Sequence, residues 1–180
     1  MIFTKSPIEG LVVIEPKVFE DERGHFFESY NENIFKENGI DTNFVQDNQS
    51  LSQKGVLRGL HFQHPPYGQA KLIRVISGSV LDIAVDLRKN SLTYGKYEAI
   101  ELSAHNKKMF FIPEGFAHGF LTLENNTIFS YKCSNFYNSG SEDAILWNDE
   151  TLGIDWKINS PILSKKDTLA QNFSQFNSPF

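Results

Sequence analysis

LIRVISGSVLDIAVD, residues 72–86, decides how the chain is to be read. Leu72 to Ser77 is a short apolar run, Gly78 interrupts it, and Val80 to Asp86 resumes it. In the second run Leu81, Ile83 and Val85 share one parity while Asp82, Ala84 and Asp86 share the other, the period of two that a β-strand imposes on its faces. Ser77-Gly78-Ser79 has the composition of a tight turn and predicts a hairpin. Outward from this pair, further strands are expected at Leu11–Ile14, Phe26–Tyr30, Tyr97–Leu102, Lys108–Ile112, Gly119–Leu123 and Thr127–Lys132. Gly10, Gly24, Asn90, His105-Asn106, Pro113-Glu114-Gly115 and Asn125-Asn126 punctuate them. Many short strands at near-regular spacing predict a mainly β fold, a sandwich or barrel-like jelly roll.

Helices are expected to be few, short and peripheral. Asn31–Asn38 carries Ile34 and Phe35 among polar residues and stops at Gly39, and Ser164 can cap a segment running to Ala170 with Asp167 in its first turn. Residues 1–180 show no repeat, linker or break in composition, which predicts one domain, with 171–180 (QNFSQFNSPF) as a loose tail.

Composition closes several doors. The chain has 180 residues, 40% hydrophobic and 22% charged, ordinary for a folded protein. A net charge of −5 argues against nucleic acid as a partner while leaving room for a local basic pocket around a phosphate. One cysteine, Cys133, can form no disulfide within the chain, and the opening MIFTKSPIEGLVVIEP has no secretory pattern; both predict a cytoplasmic protein. No stretch reaches the roughly 18 apolar residues that span a bilayer, so no membrane partner is expected.

Two histidine segments hold most of the candidate chemistry. In Arg58-Gly59-Leu60-His61-Phe62-Gln63 an imidazole titrating near neutrality can serve as a base, or can simply be a hydrogen-bonded histidine in a strand. Arg58 and His61 have opposite parity, so both can face one pocket only if Gly59 allows a bulge. Lys71 shares the parity of Ile73 and Val75; if those face the core, its ammonium points inward, where it needs an anion or an acceptor. Pro113-Glu114-Gly115-Phe116-Ala117-His118 has the P-x-G-x-x-H spacing of a second cupin motif, whose histidine can ligate a metal. The matching first motif would be H-x-H, whereas His61 and His64 are spaced H-x-x-H, on opposite faces of a flat strand. No metal site is therefore assigned. Tyr131 follows the parity of Phe129 and Cys133, as either a packing anchor or a phenolic acid, and Cys133 reads as a small core residue. Arg23 has the planar fork that grips phosphate, and Gln46-Asp47-Asn48 offers groups suited to a base or sugar; each also has ordinary uses in turns.

Taken together, FEDERGHFFESY, FVQDNQS, GVLRGLHFQ, PPYGQAKLIRVISGSVLDIAVDLR, FIPEGFAHGF, YKCSNFY, WNDETLGIDW and PILSKKD closely resemble the dTDP-4-dehydrorhamnose 3,5-epimerase family from about Gly10 to Ala170. The resemblance implies a metal-independent, cofactor-free, cupin-like jelly roll acting as a homodimer on a dTDP-linked 4-keto-6-deoxy sugar, inverting C3 and C5 in dTDP-L-rhamnose biosynthesis. It implies His61 as the base, supported by Asp167, Tyr131 as the acid on the opposite face, and Lys71 as the donor to the enolate oxygen. Arg58 and His118 would line the sugar and phosphate region. Arg23, Glu28, Gln46, Asp47, Asn48, Glu142 and Lys166 fall where the family binds the nucleotide sugar, with Phe19 and Phe26 against the base and Tyr137 near the sugar. The dyad of His61 and Asp167 requires the C-terminal segment to fold back over the barrel. Rival readings are a related epimerase acting at C3 or C5 alone or on another nucleotide sugar, a non-catalytic cupin that binds a sugar or metal, and a metal-dependent cupin dioxygenase.

Overall fold

Strands β7 (Lys71–Ser77) and β8 (Ser79–Asp86) flank Gly78 in a computed structural model that describes residues 1–180, but they do not pair with each other. β7 belongs to one sheet and β8 to another, so the Gly78 turn hands the chain between layers. The expected hairpin gives way because β8 is apolar on both faces. Val80 and Ala84 pack into one cluster and Ile83 and Val85 into another, so the strand needs a layer on each side. Gly78 has φ +77°, and a Cβ there would lie 2.2 Å from Thr127 Oγ1.

The first sheet has six strands in the order β1 (Ile2–Lys5), β2 (Val12–Glu15), β10 (Met109–Ile112), β7, β12 (Thr127–Cys133) and β5 (Gln46–Ser52). The second has five: β13 (Glu142–Ala144), β6 (Leu57–Gln63), β11 (Phe116–Thr122), β8 and β9 (Tyr97–Ser103). Every strand pairing within these two sheets is antiparallel. The interior of this jelly-roll sandwich is filled by Ile73 and Val75 of β7, Val80 and Ala84 of β8, Phe120 of β11 and Phe129 of β12. Two further clusters cover the outer faces. Phe35, Ile40 and Leu72 sit outside the six-stranded sheet, and Ile83, Val85, Trp156 and Phe173 outside the other.

Beyond the sheets, the short helix α1 (Glu32–Glu37) starts where Asn31 Oδ1 accepts from Ile34 N at 3.3 Å, and buries Phe35. The expected strand at Phe26–Tyr30 does not form: β3 (Phe19–Asp21) and β4 (Gly24–Phe26) make a separate exposed hairpin that ends at Phe26. Tyr30 instead packs edge-on against Phe35 and Phe44, with ring centroids 5.0 and 5.5 Å away. The expected helix to Ala170 reduces to one 3₁₀ turn, Asp167–Leu169. Residues 171–180 are not a loose tail. Phe173 and Phe176 are buried, Asp149 Oδ2 accepts from Phe173 N at 2.8 Å, and Phe180 O accepts from Lys89 N at 3.0 Å. Sparse phenylalanines in a polar stretch sufficed because each finds a hole in the outer cluster. No helix is long and apolar enough to cross a membrane.

Asp86, at the end of β8, ties down the following loop. Its carboxylate accepts from Arg88 N and Nε at 2.9 and 2.8 Å, from Ser91 Oγ at 2.6 Å and from Thr93 Oγ1 at 2.7 Å. Burial acts to raise this carboxyl, but the bonds from Arg88, Ser91 and Thr93 outweigh it and hold the pKa at about 2, against an ordinary 3.8. A depressed folded value means stabilisation present above the ordinary pKa and lost as pH falls through the folded one. Asp86→Asn should thus cost roughly 2 kcal/mol at neutral pH. Its deficit against the parent should shrink between about pH 5 and pH 2 in urea denaturation, where the parent carboxylate protonates.

Candidate active site

The interior is not filled to both ends. A cavity of about 500 Å³ opens between the sheets, and the strand faces determine what lines it. Cross-strand partners share a face. Tyr131 and Cys133 of β12 pair with Asn48 and Gln46 of β5, so these four look the same way as Ile73 and Lys71 of β7. From the opposite sheet, His118 of β11 pairs with His61 of β6, and Glu142 of β13 with Gln63. His61 and Tyr131 therefore enter one cavity from opposite walls.

Arg58 joins His61 there through a bulge. Between the pairs His118↔His61 and Phe120↔Arg58, β6 spends one residue more than β11, which turns Arg58 to the side of His61. Gly59 makes this possible: its φ is +136°, and a Cβ would fall 2.5 Å from Gly119 Cα. The Gly59–Leu60 peptide is cis. Arg58 Nε donates to Ser52 Oγ at 3.3 Å.

His61 Nε2 lies 2.6 Å from Asp167 Oδ1, and Asp167 is itself only 2% exposed. Ser164 Oγ donates to Asp167 Oδ2 at 2.7 Å and accepts from Asp167 N at 3.2 Å, which fixes the carboxylate's orientation. Burial acts to raise Asp167, yet the bonds to His61 and Ser164 win and its pKa is lowered, so the group facing the imidazole is a carboxylate. With Nε2–H given to that carboxylate, the ring's lone pair belongs to Nδ1. Burial raises the Tyr131 phenol and keeps it protonated. The buried Lys71 ammonium is lowered by desolvation, against which Cys133, Asp82 and Glu142 act.

The rim is a hydrogen-bonded arch. Tyr137 Oη donates to Glu142 Oε2 at 2.8 Å, Lys166 pairs with Glu142, and Tyr137 N donates to Gln46 Oε1 at 2.9 Å. Burial acts to raise Glu142, but Lys166 and Tyr137 bring it below its ordinary value. Gln46 Nε2 donates to Asn48 Oδ1 at 3.1 Å.

Some expected residues are not brought here within one chain. Asp47 alternates with Gln46 and Asn48, so it faces out and pairs with Lys132 at 3.0 Å. Glu28 accepts from Asn31 Nδ2 at 3.1 Å beside α1. Phe19, Arg23 and Phe26 line a separate depression on the β3–β4 hairpin, where the solvent-exposed Arg23 pairs with Asp21. His61 and His64 each have their own carboxylate, His64 Nε2 lying 3.0 Å from Asp143 Oδ2, and no three His, Cys, Asp or Glu side chains converge as metal ligands. Sequence reasoning missed Ser50, Gln69, Phe120 and Phe129 in the wall and Asp82 behind it. Their signal was parity: Ser50 continues the Gln46–Asn48 row, and Asp82 shares a face with Ala84.

The family described as dTDP-4-dehydrorhamnose 3,5-epimerase matches residues 5–175. A relative of that name from Salmonella typhimurium is 52% identical over 177 residues, covering 97% of each chain. The crystal structure of a dTDP-4-dehydrorhamnose 3,5-epimerase from Elizabethkingia anophelis is 53% identical and superposes with a TM-score of 0.93 over 97% of both chains. A dTDP-6-deoxy-D-glucose-3,5-epimerase from Legionella pneumophila, solved in complex with dTDP-4-keto-L-rhamnose, is 44% identical with a TM-score of 0.94, covering 98% of this chain and 94% of that one.

The Gly59–Gly119 contact supports a direct check of the bulge. Gly59→Ala should lose about 2–4 kcal/mol in urea denaturation, from backbone strain and overpacking together. Ala at exposed Gly24, which has open space around its Cβ, should lose less despite a similar φ of +122°.

Proposed function

The chain belongs to the dTDP-4-dehydrorhamnose 3,5-epimerase family, and on that premise we propose how its cavity works. It is an isomerase that converts dTDP-4-dehydro-6-deoxy-D-glucose to dTDP-4-dehydro-L-rhamnose by inverting C3 and C5. The observation that carries the mechanism is the entry of His61 and Tyr131 into one cavity from opposite sheets. Inversion needs a proton taken from one face of a carbon and one returned to the other.

Both stereocentres flank the C4 ketone, which makes their protons acidic. His61 Nδ1 takes the proton from C3 or C5 as the C–H electron pair moves through the new C=C bond to the C4 oxygen. The Asp167 carboxylate, holding Nε2–H, stabilises the imidazolium so formed. Lys71 donates to the enolate oxygen; such a placed donor is worth roughly 10²–10³ in rate. The electron pair then returns to carbon, which takes the Tyr131 proton from the opposite face and leaves a phenolate. Proton exchange resets both groups before the second inversion. Oxidation state is unchanged throughout, so neither inversion calls for a redox cofactor.

Arg58 and His118 take the sugar and diphosphate region with Tyr137 near the sugar, and Gln46, Asn48, Glu142 and Lys166 contact the nucleotide sugar. We assign Phe19, Arg23, Phe26 and Glu28 to the nucleotide site of a second copy. In a homodimer each β3–β4 hairpin can serve its neighbour's cavity with neither chain refolded, which accounts for two phenylalanines 54% and 68% exposed on a two-stranded hairpin. Asp47, turned outward against Lys132, is retained only as a support for β5. Residues 1–180 act as one domain, and the nucleotide-sugar substrate and lone buried cysteine fit a cytoplasmic setting.

In deuterium oxide the protein should place deuterium at both C3 and C5, read by proton NMR; label at one carbon alone would refute the double inversion. His61→Ala should abolish exchange at both positions, by at least about 10², while nucleotide-sugar binding persists in calorimetry. Tyr131→Phe should depress inversion more than initial exchange. Sedimentation should give a dimer, and Arg23→Ala should raise KM with kcat little changed.

A further inference from the structure

Asp82 is wholly buried on β8, facing the space between the sheets with Val80 and Ala84. Both its carboxylate oxygens lie 3.0 Å from His118 Nε2, and the 6% exposed His118 forms part of the cavity wall. Lys71, 9% exposed, approaches the same interior from the opposite sheet. A bond of this kind is not needed to hold β8 to β11, which already pair in unbroken register from Phe116↔Asp86 to Thr122↔Val80. A charge in this position must instead be matched by its neighbours, because burial disfavours every ion in the group.

Burial pushes Asp82 up and His118 and Lys71 down, and the attraction of Asp82 for each of the other two resists it. The ionised arrangement that fits this geometry has charges that cancel: carboxylate, neutral imidazole with Nε2–H given to it, and ammonium. The other groups that act on Lys71 are Cys133 of β12, Glu142 of β13 and His118 of β11. The Cys133 thiol is raised by burial and stays neutral, and Glu142 is already paired with Lys166. Asp82 is thus the anion behind the cavity with no surface cation of its own.

We propose that Asp82 is a positioning residue for the epimerisation: it fixes His118 as the neutral Nε2–H tautomer and supplies the buried negative charge that keeps Lys71 an ammonium ion facing the C4 oxygen. This rests on the reading of Lys71 as the enolate's donor. The sign is definite. Without the anion, Lys71 gives up its proton at lower pH, so the loss of activity grows as pH rises.

The test is Asp82→Asn, which still accepts from Nε2–H but carries no charge. Near pH 6 it should approach the parent's kcat, and by about pH 8.5 fall about tenfold or more below it, a one-unit displacement of an ionisation being a factor of ten. Thermal unfolding should still show a cooperative transition. A pH-independent loss, or a profile that superimposes on the parent's, overturns the proposal. Carbon-13 NMR of the lysine Cε, assigned with Lys71→Met, reads the charge without reference to turnover: the Lys71 midpoint should be lower in Asp82→Asn, and an unchanged midpoint refutes the role even if the enzyme is active. Should the variant not fold, nitrogen-15 NMR of the parent decides. His118 should show the neutral Nε2–H pattern from about pH 6 to 9, and an imidazolium or Nδ1–H pattern there would overturn the assignment.

Discussion

Two glycine backbones in contact, Gly59 on β6 and Gly119 on β11, fix the geometry on which the cavity depends. Neither strand could come so close with a Cβ between them, and without that approach β6 would continue as a flat strand. Arg58 would then point away from His61, because residues three apart on such a strand look to opposite sides. The added residue re-aims one side chain while the pairing of His61 with His118 is kept. A cationic fork and an imidazole thereby reach the same cavity from a single strand.

The imidazole depends in turn on residues more than a hundred positions away. Asp167 belongs to a 3₁₀ turn too short to hold its own place. It is held from both sides: by Ser164 locally, and by Phe173 and Phe176 sunk into the outer cluster beyond it. Apolar packing on the solvent side of one sheet thus positions a carboxylate on the cavity side. The contribution of the terminal residues to the placing of Asp167 runs through burial of aromatic rings.

The β-rich architecture was legible because its signals are local. Period-two alternation and glycine or asparagine punctuation located β2, β7, β8, β9, β10 and β12 to within a residue or two, and Asn31 and Gly39 bounded the helix. The hairpin at Gly78 failed because a turn's composition says nothing about whether its two strands share a sheet. The deciding feature is the second apolar face of β8, carried by only Val80 and Ala84. Within the candidate site, the dyad, the phenol and the lysine could be named from resemblance, and the bulge from parity. Naming Gln46, Asp47 and Asn48 together ignored that same parity, which allows only the outer two to face inward. Asp82 is not legible as a site residue, because an aspartate amid Ala84 and Asp86 resembles a solvent face and only the opposing sheet turns that face into an interior.

His61 and Tyr131 stand on different sheets, joined through loops and a packed interior rather than through a shared hydrogen-bond ladder. The wall bearing His61 is braced by β11, β13 and the C-terminal segment; the wall bearing Tyr131 is braced by β5 and β7. Each can accumulate substitutions on its own side with little mechanical penalty to the other. On the roles proposed for these two side chains, a lineage built on this scaffold can therefore re-aim its phenol by altering β5 or β12 alone, and so change how many carbons are reprotonated from behind while the deprotonating apparatus is inherited intact.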